Sequence, residues 1–204
     1  MTIRRGEPWG SAGPLPEEGV TVHSDAEARA VVERARRVGE EPPPLGLLGG
    51  DLCRTLGGRG DEDRLRSNDA TRAVVDLGSV LVDGRQHWFV AHLVARRSWW
   101  RGPVIAAMNA QWLGSWNVAP RSHPNDGRLD LLTADLSLRD RTKAWRRLPQ
   151  GSHVPHQDIV ERRVAASQID LPPRTAVWLD GERLAGTARV LSVRIEADAL
   201  TVVV

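Results

Sequence analysis

The sequence predicts an α+β protein that is mainly β: an antiparallel β-sandwich preceded by a small α/β unit. Asp-Gly pairs at Asp83-Gly84 and Asp180-Gly181 each lie between two apolar runs, the strongest short-range sign of a hairpin because both central residues tolerate positive φ. Strand-like patterns dominate from about residue 70 to the end. Before them, residues 20–57 read as strand, helix, strand and short helix, the order of an α/β layer.

Met1 to Gly19 hold Pro8, Pro14, Pro16 and several glycines but no apolar h-region, so residues 1–19 are expected to be a flexible start and not a signal peptide. Val20-Thr21-Val22 is a short strand. Ser24 and Glu27 form a capping box that opens a helix with Ala28, Val31, Val32, Ala35 and Val38 on one face. Pro42-Pro43-Pro44 stops it, Leu45 to Leu48 is a strand, and Gly49-Gly50 turns into a short helix near Asp51. The Gly-rich polar stretch 58–69 reads as a linker. Residues 70–204 then supply the sandwich: Val74–Val82 with Gln86–Val94, Ala176–Leu179 with Glu182 onward, and a last pair, Val190–Glu196 with Leu200–Val204.

At 204 residues the chain has room for one full domain, or for a domain plus a small remnant of another, and not for two large domains. A formal charge of +2 points to no nucleic-acid partner. The single cysteine, Cys53, excludes an internal disulfide and suits a reducing cytosol, as a packed thiol on an apolar helix face. No stretch approaches the roughly 18 apolar residues of a spanning helix, so a cytoplasmic protein that meets a membrane only at its surface is expected.

The totals hide one pattern. From Gly84 to Asn125 there is no acid, while five of the eight tryptophans and five arginines fall there. Trp88, Trp112 and Trp116 read as core. Arg96, Arg97, Trp99, Trp100 and Arg101 cannot all point inward from one strand, so some of this cluster is expected to face a lipid surface, an acidic partner or a dimer mate. His153 and His156 with Asp158 have metal-ligand residue types, but Pro155 between them favours a plain loop.

Several motifs fall into an informative order. Between Pro44 and Gly57 a glycine turn leads to Asp51, Arg54, Leu56 and Gly57; Val75 to Gly78 follow, then Asn109, Ala119-Pro120, Asn125 to Asp130, Gly151-Ser152-His153 and Asp180-Gly181-Glu182. In this order and spacing the chain resembles bacterial diacylglycerol kinase-like lipid kinases. The resemblance implies transfer of phosphate from ATP to a lipid hydroxyl. It assigns catalytic positions to Glu182 and Asp180, with Glu182 as the base, a structural Mg2+ to Asp126, and to Asp51 a contact with that ion through water. Spacing alone explains Asp126 and Asp180 equally well as turn residues.

The family's glycine-rich nucleotide motif falls on His23-Ser24-Asp25-Ala26-Glu27. Asp25 is kept, the glycines are gone, and Gly49-Gly50 is the weak remaining phosphate loop. Residues 20–57 then correspond to a remnant of the nucleotide domain, the first twenty residues leave no room for the strand-helix units that precede it in the family, and the family's helical insertion before Asn109 is missing. The resulting expectation is a lipid kinase-like protein with an incomplete ATP site. The alternatives are a non-catalytic lipid- or protein-binding sandwich, or an acceptor-side subunit that needs a separate nucleotide-binding chain.

Overall fold

A computed structural model describes residues 10–204. In chain order it contains β1 (Gly10–Ala12), β2 (Val20–Val22), α1 (Asp25–Arg37), β3 (Leu45–Leu47), α2 (Asp51–Thr55), α3 (Glu62–Leu65), β4 (Thr71–Val82), β5 (Arg85–Phe89), β6 (His92–Arg96) and β7 (Val104–Met108). There follow β8 (Trp112–Leu113), β9 (Trp116–Asn117), β10 (Leu129–Ala134), α4 (Leu138–Arg147), β11 (Ile159–Val164), β12 (Ala166–Leu179), β13 (Glu182–Arg183) and β14 (Ala188–Val203).

The strands run β1-β4-β14-β12-β6-β7-β10-β11, with β5 on β4 and β13 on β12. β12 belongs to both layers. Ala166–Asp170 pair with β14 and Ala176–Leu179 with β6, and the ladder is interrupted between them at Pro172, Pro173 and Arg174, whose φ is 65°. Proline has no amide to give a ladder, so the strand bends there and changes sheets. Val80, Leu191, Val193 and Ile195 of one layer pack against Leu93, Ile105, Ala107, Leu129 and Leu131 of the other, closing the sandwich.

The α/β unit is fused to this sheet. β2 pairs with β3, and β3 runs parallel to the end of β14 with Leu45 opposite Val202 and Gly46 opposite Val203. α1 begins as the capping box predicts: Ser24 Oγ accepts from Glu27 N at 3.2 Å and Glu27 Oε2 accepts from His23 N at 2.8 Å. Ala28 and Val32 of α1 and Leu52 of α2 share a core with Val75, Leu77, Leu200 and Val202.

Three expectations are revised. The final two strand patterns form no hairpin: β14 is continuous past an irregularity at Glu196–Leu200, and both halves pair with β4. Asp198, at φ 54°, makes a bulge where a turn was expected. Residues 10–19 are ordered, because β1 pairs with Thr71–Ala73 and Leu15 packs with Leu65, Ala70 and Val203; residues 1–9 lie outside the described residues. The 58–69 stretch carries α3, capped by Asp61 and anchored by the buried Leu65.

Candidate functional site

The site lies where α1 and α2 meet the β5–β6 crossover and the β12–β13 turn. Asp180 and Gly181 form that turn at φ 51° and 85°. The Asp180 carboxylate is fully buried and accepts from Val90 N at 2.9 Å, Ala91 N at 2.9 Å and His92 N at 3.0 Å. Burial raises its pKa against the pull of His92 and these amides. With its oxygens committed to backbone, Asp180 fixes geometry and is a poor base.

Glu182 is the exposed member. Its carboxylate, 64% exposed, pairs with the Arg29 guanidinium of α1, and Arg29 Nε lies 3.9 Å from Asp180 Oδ2. Arg29 is itself buried and also faces Glu33 at 3.5 Å. One arginine therefore bridges the α/β unit to the turn.

Asp25, Asp51 and His92 form the second half. Asp25 accepts from Asp51 N at 2.5 Å and Leu52 N at 3.1 Å, holding the start of α2 to the start of α1. Asp51 Oδ2 meets His92 Nε2 at 2.9 Å and Gly114 N at 2.8 Å; because a carboxylate only accepts, Nε2 carries the proton. Burial and the nearby Asp180 push Asp25 up to about 6. Burial also disfavours charge on Asp51 and His92, but their mutual hydrogen bond together with the Gly114 amide and Arg54 around Asp51, and with the charges of Asp180, Asp51 and Asp25 around His92, outweighs it, leaving Asp51 below its ordinary value and His92 above.

The ligand atoms of Asp25, Asp51 and His92 all lie within 4.8 Å of one another, so this group can hold a metal ion. The donor chemistry suits a divalent cation: two carboxylates meet a third buried acid, and a positive ion relieves the repulsion that lifts Asp25. Mg2+, which prefers oxygen and retains water, would draw on Asp25 and Asp51, with His92 orienting Asp51.

Asp126 lies elsewhere. Its carboxylate is held by Arg163 of β11 and by Arg128 N at 3.0 Å, and neither Asp25 nor Asp51 is among its partners. Asp51, whose Oδ2 meets His92 and Gly114, shares no partner with Asp126 among these contacts.

Asp25, Gly49 and Gly50 do come together, but against each other and not as an open phosphate cradle. A Cβ on Gly49 would sit 2.4 Å from the His23 carbonyl oxygen, and one on Gly50, at φ +97°, 2.5 Å from Asp25 Oδ1. The glycines are needed for close packing. The amides of His23, Glu27, Asp51 and Leu52 are bonded to Glu27, Ser24 and Asp25.

Beside the junction are two hollows that share a wall. One, about 190 Å³, is lined by His92, Arg96, Trp178 and Gly181. The other, an apolar cavity of about 110 Å³, includes Ala106, Trp145 and His153. Val94, Trp99, Leu113 and Trp116 line both. Arg96 lies between the Trp99 ring at 4.2 Å and the Trp178 ring at 3.9 Å. Trp99 and Trp116 meet edge to face at 5.2 Å, Trp116 meets Trp145 at 4.4 Å, and Trp100 stacks on Trp145 at 5.5 Å. Arg97, Trp100 and Arg101 are exposed, while Arg96 and Trp99 are half-buried. Trp88, Trp112 and Trp116, read as core, are half-buried: Trp88 Nε1 bonds Glu196 and Arg54 covers Trp112 at 3.4 Å.

The model of the YegS C-terminal NAD kinase beta sandwich-like domain matches residues 76–204. The chain belongs to this family. A diacylglycerol kinase homologue from Bacillus anthracis str. Sterne shares its fold at a TM-score of 0.69 and 13% identity over 91% of this chain and 77% of that one. A diacylglycerol kinase structure from the same strain gives 0.60 and 14% over 91% and 75%. Yeast NADH kinase complexed with NADH gives 0.50 and 9% over 91% and 60%. No curated protein matches in sequence. The YegS-type match begins at Asp76, inside β4, whereas the structural likenesses cover 91% of the chain.

Three contributors to this part of the molecule were missed in the sequence. Arg29 and His92 carry no local signal, since their partners are distant in the chain. α4 does carry one: Ser137 three residues before Asp140 is a cap, and Ser137 Oγ accepts from Asp140 N at 3.2 Å.

Proposed function

We propose that this lipid kinase-like protein binds a lipid alcohol on its sandwich, with Glu182 at the acceptor hydroxyl, and that its His23–Glu27 segment does not complete an ATP site. The supporting observation is the Trp-walled apolar cavity, which shares a wall with the hollow at Gly181, the residue before Glu182. An acyl chain suits the apolar cavity and a polar head suits the His92 end. In a phosphoryl transfer the acceptor oxygen bonds to the γ-phosphorus, the bond to the nucleoside diphosphate breaks, and the hydroxyl proton goes to the Glu182 carboxylate. Arg29 positions that carboxylate. A divalent cation at Asp25 and Asp51 would supply positive charge for the donor phosphates.

The committed amides at His23, Glu27, Asp51 and Leu52 favour a second reading beside this one: a lipid-binding sandwich without independent catalysis, or an acceptor-side subunit served by a separate nucleotide-binding chain. The membrane-facing surface would be Trp100, Trp145 and Leu138, exposed by 48%, 41% and 61%, ringed by Arg97, Arg101, Arg146 and Arg147. Among the described residues no helix is long and apolar enough to cross a membrane.

The test combines binding and transfer. Diacylglycerol in phosphatidylglycerol vesicles should bind the chain, less so in high salt and in a Trp100→Ala/Trp145→Ala variant, while labelled phosphate from Mg-ATP should not enter the lipid. Incorporation that disappears in Glu182→Gln would show a working donor site, rejecting both the second reading and the incomplete ATP site while keeping Glu182 at the acceptor hydroxyl. Absence of lipid binding would reject both.

A further inference from the structure

Three carboxylates surround the turn that leads into β10. Asp76 is buried and gives both oxygens to backbone amides, Oδ2 to Gly127 N at 2.6 Å and Oδ1 to Asp198 N at 3.0 Å. Asp126 Oδ1 takes Arg128 N, and Asp130 of β10 is 2% exposed. Burial raises the pKa of all three, so keeping them ionised takes hydrogen-bond donors or a cation beside them.

The cation is already in the chain. Arg163 Nη2 bonds Asp126 Oδ2, and Arg163 Nε lies 3.4 Å from Asp130 Oδ1. The β10–β11 register delivers it by setting Arg163 directly opposite Asp130, on the same face of the sheet. Asp76, Asp126 and Asp130 also do not gather three side-chain ligand atoms in one place. Among the described residues the groups with ligand atoms gathered within 4.8 Å are Asp25–Asp51–His92 and Asp140–His156–Asp158, and the Asp126 group is not one of them.

We propose that Arg163 is the built-in counter-cation of the Asp126 turn, standing where the family resemblance implies Mg2+, so that this end of the sandwich is stable without a divalent ion. A guanidinium is always charged, is planar, and can address two carboxylates from one side chain. Asp126 is thereby uncoupled from the Asp25–Asp51 group, and a divalent ion bound beside Asp51 does not draw on it.

Thermal unfolding of the full chain, followed by tryptophan fluorescence in EDTA and in millimolar Mg2+, tests this. Any response of the wild type to Mg2+ should persist unchanged in Asp126→Asn. Arg163→Met should lower the midpoint in EDTA by about 4 °C, less than for a wholly buried pair because Arg163 is partly exposed. The Asp126→Asn/Arg163→Met double variant should fall by less than the sum of the singles. If Arg163→Met does not fold, Arg163→Lys takes its place in the cycle, with a smaller expected drop. A wild-type stabilisation by Mg2+ that vanishes in Asp126→Asn, or fully additive single effects, overturns the proposal.

Discussion

The backbone hardly distinguishes the Asp83-Gly84 and Asp180-Gly181 turns: φ is 47° and 85° in the first, 51° and 85° in the second. Both aspartates also cap amides across the sheet. Asp83 accepts from Arg189 N at 3.0 Å and Val190 N at 2.9 Å, while Asp180 accepts from three consecutive amides of the β5–β6 crossover. They differ in what covers them. Asp83 is open to solvent and its amide partners hold it below its ordinary value, whereas Asp180 is sealed under α1 and burial raises it. Turn chemistry is a property of the dipeptide; participation in a site comes from the elements packed over it.

The comparison can be broken most directly by removing each carboxylate. Asp180→Ala strands three buried N–H groups and should cost about 3–5 kcal/mol in urea unfolding, or prevent folding. Asp83→Ala, with solvent at hand, should move the thermal midpoint by less than about 2 °C. Equal losses would show that the shared turn, and not its covering, decides the stability.

A smaller effect sharpens the contrast through pH. Asp25 sits at about 6 against an ordinary 3.8, so between those values the folded chain keeps a proton that the unfolded chain releases. Its contribution is full below the lower value and is lost as the pH rises through the upper one, by on the order of 3 kcal/mol. His92 is raised too, so its contribution is lost at still higher pH. Urea titrations from pH 4 to 7 should show falling stability in the wild type and a flatter profile in Asp25→Asn. Asp180→Asn, which removes the buried charge facing Asp25, should shift the Asp25 window toward lower pH.

Glu182→Gln should have the least effect on stability, below about 1 kcal/mol, because the carboxylate is largely exposed. Any lipid phosphorylation would nonetheless be lost. For Asp83 the sign reverses relative to Asp25: its contribution exists above 3.8 and disappears only as the pH falls through its lower folded value. Asp83→Asn should therefore differ from wild type only at the acid end of the titration.

Local chemistry was legible in the sequence. The Asp-Gly turns, the Ser24–Glu27 capping box and the apolar runs of β3 and β4 depend on neighbours a few residues away, and they placed most of the sandwich and α1. The site depends on partners that spacing does not reveal: Arg29 and Glu182 are 153 residues apart, Asp180 and Val90 are 90, and His92 and Asp51 are 41. The misread end of β14 has a similar cause. A positive φ at Asp198 serves a bulge as well as a reversal, and only pairing with β4 on both sides distinguishes them.

β14 also orders events in time. It is the common neighbour of β3, β4 and β12, so during synthesis all three emerge from the ribosome before the strand that joins them. Until β14 follows, β4 has only the β1 and β5 ladders, the β2–β3 pair has no third strand, and the apolar faces of both stay open. Such an interval invites chaperone capture or association with another nascent copy. Completion of this sheet therefore waits on the translation of β14, whatever has been made before it.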